Sequence, residues 1–188
     1  MSIIASISCS LAVQRHDKNL KGMAVRFEEK IVLVTGATGA LGSAVTARFL
    51  GRGARVAAVA RDPGRLAGLA TTPRLKTFAA DVTDAEAVER LFIDVQHQLG
   101  AVDILIHTVG GYQGGQYLQD IAVPDWRRMM DLNLNAAFYC AKHALAHMAA
   151  KGGKIITISA LAAIEVKSKR AAYIVAKSGL IALTRAIA

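Results

Sequence analysis

The sequence predicts a doubly wound α/β fold, in which helices cover both faces of a parallel sheet. Segments with the pattern of buried strands alternate with helix-like segments along the 188 residues, and such alternation is typical of a parallel sheet. Apolar residues make up 53% of the chain, as strands buried on both faces require. A chain of this length is expected to form one domain with a sizeable core.

The most informative segment runs from Ile31 to Gly42. An apolar strand breaks there into a glycine-rich turn and then opens a helix. Such a turn lets backbone N–H groups and the positive end of the helix face a pyrophosphate, as in Rossmann-type folds. Alone, the pattern also fits an ordinary tight connection between a strand and a helix. The predicted cofactor contacts in this segment are Thr35, Gly36, Thr38, Gly39, Ala40, Leu41 and Gly42.

Five short runs rich in β-branched and other apolar residues are predicted as strands. Each is separated from the next by a segment long enough for a crossover. The five predicted strands are Lys30–Thr35, Arg55–Ala60, Leu75–Ala80, Val102–Thr108 and Lys154–Ser159.

The helices between these strands are predicted from the signals at their ends. Glycines follow the first helix, which covers Ala40–Leu50. Asp62 followed by Pro63 caps a short second helix, and Thr83–Glu86 has the pattern of a capping box for a third. The remaining helices are predicted over Trp126–Ala150 and from Ala171 onwards.

Tyr173 and Lys177 lie four residues apart in the last predicted helix, so their side chains share one face. A nearby ammonium lowers the proton affinity of a phenol, which would let Tyr173 exchange protons near neutral pH. A Tyr-x-x-x-Lys pair by itself is common on solvated helices. Together with the glycine-rich turn it indicates a nucleotide-dependent redox enzyme.

The net charge of +9 is concentrated near the end of the chain. Residues 142–188 carry eight Lys or Arg and the single acid Glu165, and Tyr173 is the one aromatic residue among the basic ones. Several of these basic residues lie near the predicted anionic cofactor. We therefore expect no nucleic-acid partner.

Other classes of protein are excluded by composition. No apolar run is long enough to span a membrane, so no membrane partner is expected. Cys9 and Cys140 are far apart and lack the spacing of a metal site, so we expect neither a disulfide nor a bound metal. Sparse cysteine indicates a reducing, cytoplasmic location.

The first 24 residues are predicted to be a disordered or leader extension, and residues 25–188 the dinucleotide-binding domain. Met23 stands shortly before the first strand, where a chain could start. The segment lacks both the basic start and the cleavage site of a secretion signal.

From Phe27 to Ala188 the sequence resembles the short-chain dehydrogenase/reductase family. The glycine motif of the family, Thr-Gly-x-x-x-Gly-x-Gly, matches at Thr35, Gly36 and Gly42, with Ala40 at the middle glycine. The remaining matches are Asp81 and Val82 after the third strand, Gly110 after the fourth (with Val109 at the family's alanine), Asn133 in the long helix, and the pair Tyr173 and Lys177.

The resemblance implies a role for each of these residues. Asp81 and Val82 would hold the adenine ring, and Val109 and Gly110 would let the backbone approach the cofactor. Tyr173 would transfer the proton, and Lys177 would bind the nicotinamide ribose and lower the pKa of that tyrosine. Asn133 would hold a water that links Lys177 to solvent.

Two segments depart from the family pattern. The motif Asn-Asn-Ala-Gly is here His107-Thr108-Val109-Gly110, which keeps only the glycine, and we interpret His107 as a structural substitute. Ala160 stands thirteen residues before Tyr173, where the family has its catalytic serine. The adjacent Ser159 should point to the opposite face of the strand. Ala160 and the Gly-Gly-Tyr-Gln-Gly-Gly loop 110–115 resemble a dihydropteridine-reductase-like branch, which implies a quinonoid substrate.

The resemblance also implies a strand order of 3-2-1-4-5, with strand five at the edge. The family's sixth strand and lid helices are not in this sequence. Its two long helices, Trp126–Ala150 and Ala171–Ala188, imply a homodimer through a four-helix bundle.

The end of the second strand indicates the cofactor. An NAD-binding protein places an acid there for the adenosine ribose, whereas this chain has Ala60 followed by Arg61. A guanidinium can pair with a 2′-phosphate, so NADP(H) is preferred and NAD(H) is possible. Two functions stay open: an NAD(P)H-dependent oxidoreductase acting on a carbonyl or quinonoid small molecule, and a non-catalytic dinucleotide-binding protein with a redox-sensing or scaffold role.

Overall fold

The structure, a computed structural model, describes residues 26–69 and 72–188. Its centre is one five-stranded parallel sheet in the order β3-β2-β1-β4-β5, which confirms the predicted order. The predicted leader lies outside the described residues. The strands are β1 (Ile31–Thr35), β2 (Arg55–Ala60), β3 (Leu75–Ala79), β4 (Ile104–His107) and β5 (Lys154–Thr157).

Helices connect the strands and cover both faces of the sheet, so the doubly wound α/β fold is confirmed. Most of the strands end one or two residues earlier than predicted. The helical elements are α1 (Ala40–Leu50), α2 (Pro63–Ala67), α3 (Ala85–Gln98), α4 (Val123–Met130), the π segment (Asp131–Asn135), α5 (Ala136–Met148) and α6 (Ala171–Ala186). None of the helices in the described ranges is long and apolar enough to cross a membrane.

Two hydrophobic cores lie on opposite faces of the sheet, and β1 contributes to both. Its Leu33 packs into the core beneath α3 and α5, whereas Val32 and Val34 pack into the core beneath α1. All three side chains are fully buried. Full burial of one such side chain contributes about 1.5–3 kcal/mol, so the alternation along β1 anchors both layers.

The start of α3 differs from the prediction. Its N-cap is Asp84, whose carboxylate accepts from the backbone N–H groups of Glu86 and Ala87 at 2.9 and 3.3 Å. The predicted cap, Thr83, donates its hydroxyl to Asp81 at 2.7 Å. Thr83 therefore orients a residue of the predicted adenine site, and the helix begins one position later.

The predicted helix Trp126–Ala150 is also corrected. It begins at Val123, because Pro124 fits the first turn, where a missing N–H costs nothing. The π segment then interrupts it, and α5 ends at Met148. The end is fixed by Gly152, which adopts a φ of 72° and donates its N–H to the Met148 carbonyl at 2.7 Å.

Asp103 holds together the edge of the sheet opposite the carboxyl ends of the strands. Its buried carboxylate accepts from the Ile31 N–H at 2.9 Å and lies 3.3 and 3.4 Å from the ammonium groups of Lys30 and Lys151. Burial raises the pKa of Asp103, but the hydrogen bond from Ile31 and the two lysines outweigh it, so the pKa is lowered.

We expect Asp103→Ala to lower the free energy of unfolding by about 1–3 kcal/mol, because the Ile31 N–H loses its partner. Asp103→Asn should cost less, since the amide oxygen can still accept that hydrogen bond. The folded-state pKa is lowered, so the carboxylate stabilises the fold above the unfolded pKa, about 3.9. That contribution is lost as the pH falls through the folded value.

Urea denaturation of the native chain and both variants at neutral pH, and again near pH 3, measures this contribution. The difference in free energy of unfolding between the native chain and Asp103→Asn should become smaller in acid. A difference that is the same at both pH values contradicts a stabilising role for the Asp103 carboxylate.

Candidate active site

The glycine-rich turn lies between β1 and α1, at the carboxyl edge of the sheet. Gly36 adopts a φ of 69°, and the Ala37 N–H donates to the Val59 carbonyl at 3.0 Å. A Cβ on Gly42 would lie 2.1 Å from the Gly36 carbonyl oxygen, so no side chain fits there. The first turn of α1 has neither a side-chain cap nor an acidic residue. Its positive end therefore suits an anion.

A cleft of about 880 Å³ opens above this turn, along the carboxyl ends of β1 to β4. Thr35 lies outside the lining, fully buried below the turn. The predicted cofactor residues that line the cleft are Gly36, Thr38, Gly39, Ala40, Leu41, Gly42, Arg61, Asp81, Val82, Val109 and Gly110.

Arginines that sequence reasoning missed also line the cleft. Arg65 donates from Nη2 to the Thr38 carbonyl at 2.9 Å, which fixes its guanidinium against the glycine-rich turn. Arg127 and Arg128 approach from α4 on the other side. Only their place in the chain could have indicated these arginines. Arg65 lies in the short helix after β2, and the other two lie in the helix after the β4 loop.

The end of β2 carries no carboxylate directed at the cleft. Asp62, the nearest acid, caps α2 by accepting from the Gly64 N–H at 2.8 Å. Arg61 is 81% exposed, and its Nη1 lies 3.9 Å from the Asp81 carboxylate. Burial raises the pKa of Asp81, but the hydrogen bonds from Thr83 and the charge of Arg61 outweigh it, so the pKa is lowered.

Lys177 is buried beside the cleft, with only 5% of its surface exposed. Its Nζ donates to the Ile158 carbonyl at 2.8 Å, and burial lowers its pKa to about 8. Asn133, in the π segment, accepts from the Gly111 N–H and donates to the Met129 carbonyl, both at 3.1 Å.

Lys177 and Asn133 meet at the backbone of Gly110. A Cβ placed on Gly110 would lie 3.0 Å from both Asn133 Oδ1 and Lys177 Nζ. Gly110 itself lines the cleft. The structure therefore brings the predicted lysine and asparagine to the edge of the predicted cofactor site.

Tyr173 is half-buried on the same helix, one turn before Lys177. The ring of Tyr112 packs edge-to-face against it, with centroids 5.1 Å apart. Burial and the neighbouring Tyr112 raise the pKa of Tyr173. The predicted lowering by Lys177 is thus wrong for this structure, in which the lysine ammonium is bonded to a main-chain carbonyl.

The two departures from the family pattern have distinct settings. His107 Nδ1 lies 3.0 Å from Thr35 Oγ1, which ties β4 to β1 and agrees with a structural substitute. Ser159 donates its hydroxyl to the Lys177 carbonyl at 3.0 Å, on the backbone of α6. It does not take the place of the serine that Ala160 lacks.

Comparison with known proteins shows the family of the chain. The family model described as short chain dehydrogenase matches residues 30–188. The chain belongs to the short-chain dehydrogenase family. A 3beta-hydroxysteroid dehydrogenase from Mediterraneibacter gnavus is 33% identical, and the match covers 87% of this chain and 61% of that protein. A meso-2,3-butanediol dehydrogenase from Serratia marcescens is 32% identical over 87% of this chain and 66% of its own length.

Solved structures of the family share the fold. A short-chain dehydrogenase/reductase from Brucella melitensis superposes with a TM-score of 0.80 at 29% identity, covering 88% of this chain and 71% of that one. The ligand-free aldohexose dehydrogenase from Thermoplasma acidophilum gives 0.77 at 26% identity, over 86% and 61%. This chain thus spans less than two thirds of several relatives. Its resemblance to the dihydropteridine-reductase-like branch stays a prediction.

Proposed function

We propose that the chain acts as an NAD(P)H-dependent oxidoreductase that transfers hydride to a carbonyl or quinonoid small molecule. The observation that carries this proposal is the meeting of Lys177 and Asn133 at Gly110, beside a cleft with room for a dinucleotide. Its relatives from Mediterraneibacter and Serratia are named as dehydrogenases, which supports the reaction class.

The residues of the cleft fit a nicotinamide dinucleotide. The N-terminus of α1, which has no side-chain cap, would hold the pyrophosphate. Because the Gly36 carbonyl leaves no room for a Cβ at Gly42, no side chain projects from that position. Asp81 and Val82 would contact the adenine ring, and Lys177 the nicotinamide ribose. When bound, the cofactor supplies the hydride.

Tyr173 is the proposed proton donor to the substrate oxygen or nitrogen. Its raised pKa keeps the phenol protonated at neutral pH, as a general acid must be. A hydride added to a carbonyl carbon and a proton added to its oxygen together give an alcohol. Lys177, still largely charged at neutral pH, would hold the ribose hydroxyls, and Asn133 would hold the water through which Tyr173 regains its proton.

Ala160 favours a second candidate, a non-catalytic dinucleotide-binding protein. A serine hydroxyl there would donate to the reacting oxygen as negative charge develops on it. Without that donor, the site can bind cofactor and turn over poorly or not at all. A conjugated substrate that spreads its charge would depend less on the missing hydroxyl.

We further propose that NADP(H) is preferred to NAD(H). Arg61 is exposed at the end of β2, and Arg65 is fixed one helical turn further on against the Thr38 carbonyl. Asp62 is engaged as a helix cap, so it is not free to hold the ribose hydroxyls. Two guanidinium groups beside the ribose site suit a 2′-phosphate.

The last proposal concerns assembly as a homodimer through the long helices. Phe138 and Leu145 on α5 and Val175 on α6 are 46%, 40% and 47% exposed. Large apolar side chains on long helices mark a surface that a second copy can cover. A two-fold arrangement would pack these helices into a four-helix bundle.

The catalytic proposal is tested with NADPH, one plain ketone and one quinone. Tyr173→Phe should lower kcat/KM by about 10²–10⁴-fold, because the proton donor is lost. Ala160→Ser should raise kcat/KM for the plain ketone by up to about 10²–10³-fold, and should raise it far less for the quinone. Cofactor affinity, measured by titration calorimetry, should stay the same in both variants. Unchanged cofactor binding with no turnover in the native chain or either variant would favour the second candidate, a non-catalytic dinucleotide-binding protein.

Cofactor selectivity is tested by titrating NADPH and NADH into the native chain, Arg61→Ala and Arg65→Ala. Each variant should bind NADPH about 10–100-fold more weakly, the cost of one charge-assisted hydrogen bond, and bind NADH as before. Arg48→Ala, at the far end of α1, is the matched control and should change neither affinity. Equal or tighter binding of NADH by the native chain contradicts the proposal.

Assembly is tested by light scattering on the native chain and Phe138→Glu. The native chain should be a dimer, and the charged variant a monomer, because burying an unpaired carboxylate is costly. Ile93→Glu replaces an equally exposed apolar residue on α3 and should leave the dimer intact. A tetramer, a stable monomer, or loss of the dimer in both variants refutes the assignment.

A further inference from the structure

His107 is a buried polar side chain that the proposed mechanism does not use. It is 1% exposed, and its Nδ1 is engaged by Thr35. Within residues 26–69 and 72–188, its Nε2 has no hydrogen-bond partner. Such groups are rare in folded proteins, because an unpaired buried polar atom destabilises the fold.

The position of His107 brings it close to the candidate active site. It is the last residue of β4, paired in register with Thr35 of β1 and Thr157 of β5. Burial and then the charge of Lys177 lower the pKa of His107 to about 3. The ammonium lies in the same region, because Lys177 bonds to the carbonyl of Ile158, the residue that follows Thr157. The imidazole is neutral at neutral pH.

A neutral imidazole at this position has two possible tautomers. If Thr35 donates its hydroxyl to Nδ1, then Nε2 carries a hydrogen, and that positive end shares the region with a cation. If Nδ1 donates to Thr35 Oγ1, then Nε2 presents a lone pair. Only the second tautomer offers the ammonium an attractive partner. Lys177 has three N–H donors, one of which goes to Ile158.

We propose that His107 is a positioning residue for Lys177, in which Nδ1–H pairs with Thr35 Oγ1 and the Nε2 lone pair helps to hold the ammonium charged at the edge of the cleft. Only the part played by Lys177 in catalysis rests on the proposed function.

The tautomer is tested by ¹⁵N NMR of the histidine-labelled chain, with the His107 signals assigned by their loss in His107→Gln. The chain has only five histidines, so the few signals in the spectrum can be compared directly with those of this one variant. Nε2 should be unprotonated and Nδ1 protonated from pH 5 to pH 8. An Nε2 that carries the hydrogen over this range overturns the proposal.

The effect on Lys177 is tested by ¹³C NMR of the lysine side chains, with Lys177→Arg as the assignment variant. His107→Phe keeps a ring and removes the acceptor, so the titration midpoint of Lys177 should fall by roughly one to two pH units. His107→Gln keeps an acceptor at similar reach and should restore most of the midpoint. Thr35→Val, which removes the Oγ1 that pairs with Nδ1, is the second test if His107→Phe does not fold. Equal midpoints in all versions overturn the proposal.

Turnover gives an independent readout. His107→Phe should lower kcat and shift its pH profile toward acid, while the Kd for NADPH changes less than twofold. A shift in Kd with an unchanged profile would mean that the residue only supports the fold, against the proposal. If the native chain shows no turnover, the proposed function fails, and the two NMR measurements still decide the role of His107.

Discussion

The pairing of β1 on both edges is the constraint on which the rest of the structure depends. β1 is buried on both faces, and hydrogen bonds from β2 and β4 fix its register. The glycine-rich turn can therefore leave the sheet at only one point, where the Val59 carbonyl receives the Ala37 N–H. The same register places Thr35 opposite His107, so both the cleft and the buried polar pair follow from one strand.

Much of the fold could be predicted from the sequence, because the capping and turn residues and the pattern of apolar residues indicated the same elements. The cap at Asp62 and the turn around Gly36 each depend on a few adjacent residues. The strand order followed from the resemblance to the family. The shift of the α3 cap from Thr83 to Asp84 could not be predicted, because both are good capping residues. The competing bond from Thr83 to Asp81 decided between them, and it is visible only in three dimensions.

The electrostatics of the site were the least predictable part. Spacing put Tyr173 and Lys177 on one face of a helix, but it could not show that Lys177 would bond to the Ile158 carbonyl. Nor could it show that Tyr112 would pack against Tyr173 and help to raise its pKa. Arg65 of α2 and Arg127 and Arg128 of α4 line one cleft only because two separate elements meet at one edge of the sheet. The positive charge is thus gathered around a cleft suited to an anion.

The π segment has a consequence for how this region can vary. Each residue of an α-helix advances the direction of its side chain by about 100°, and a π turn takes up one residue more than an α turn. The π segment therefore sets how α4 and α5 are rotated relative to each other. Arg127 and Arg128 of α4 point at the cleft, whereas Cys140 and Ala144 of α5 fill the core. Deleting a residue there would rotate one end relative to the other, so this stretch can change its side chains far more easily than its length.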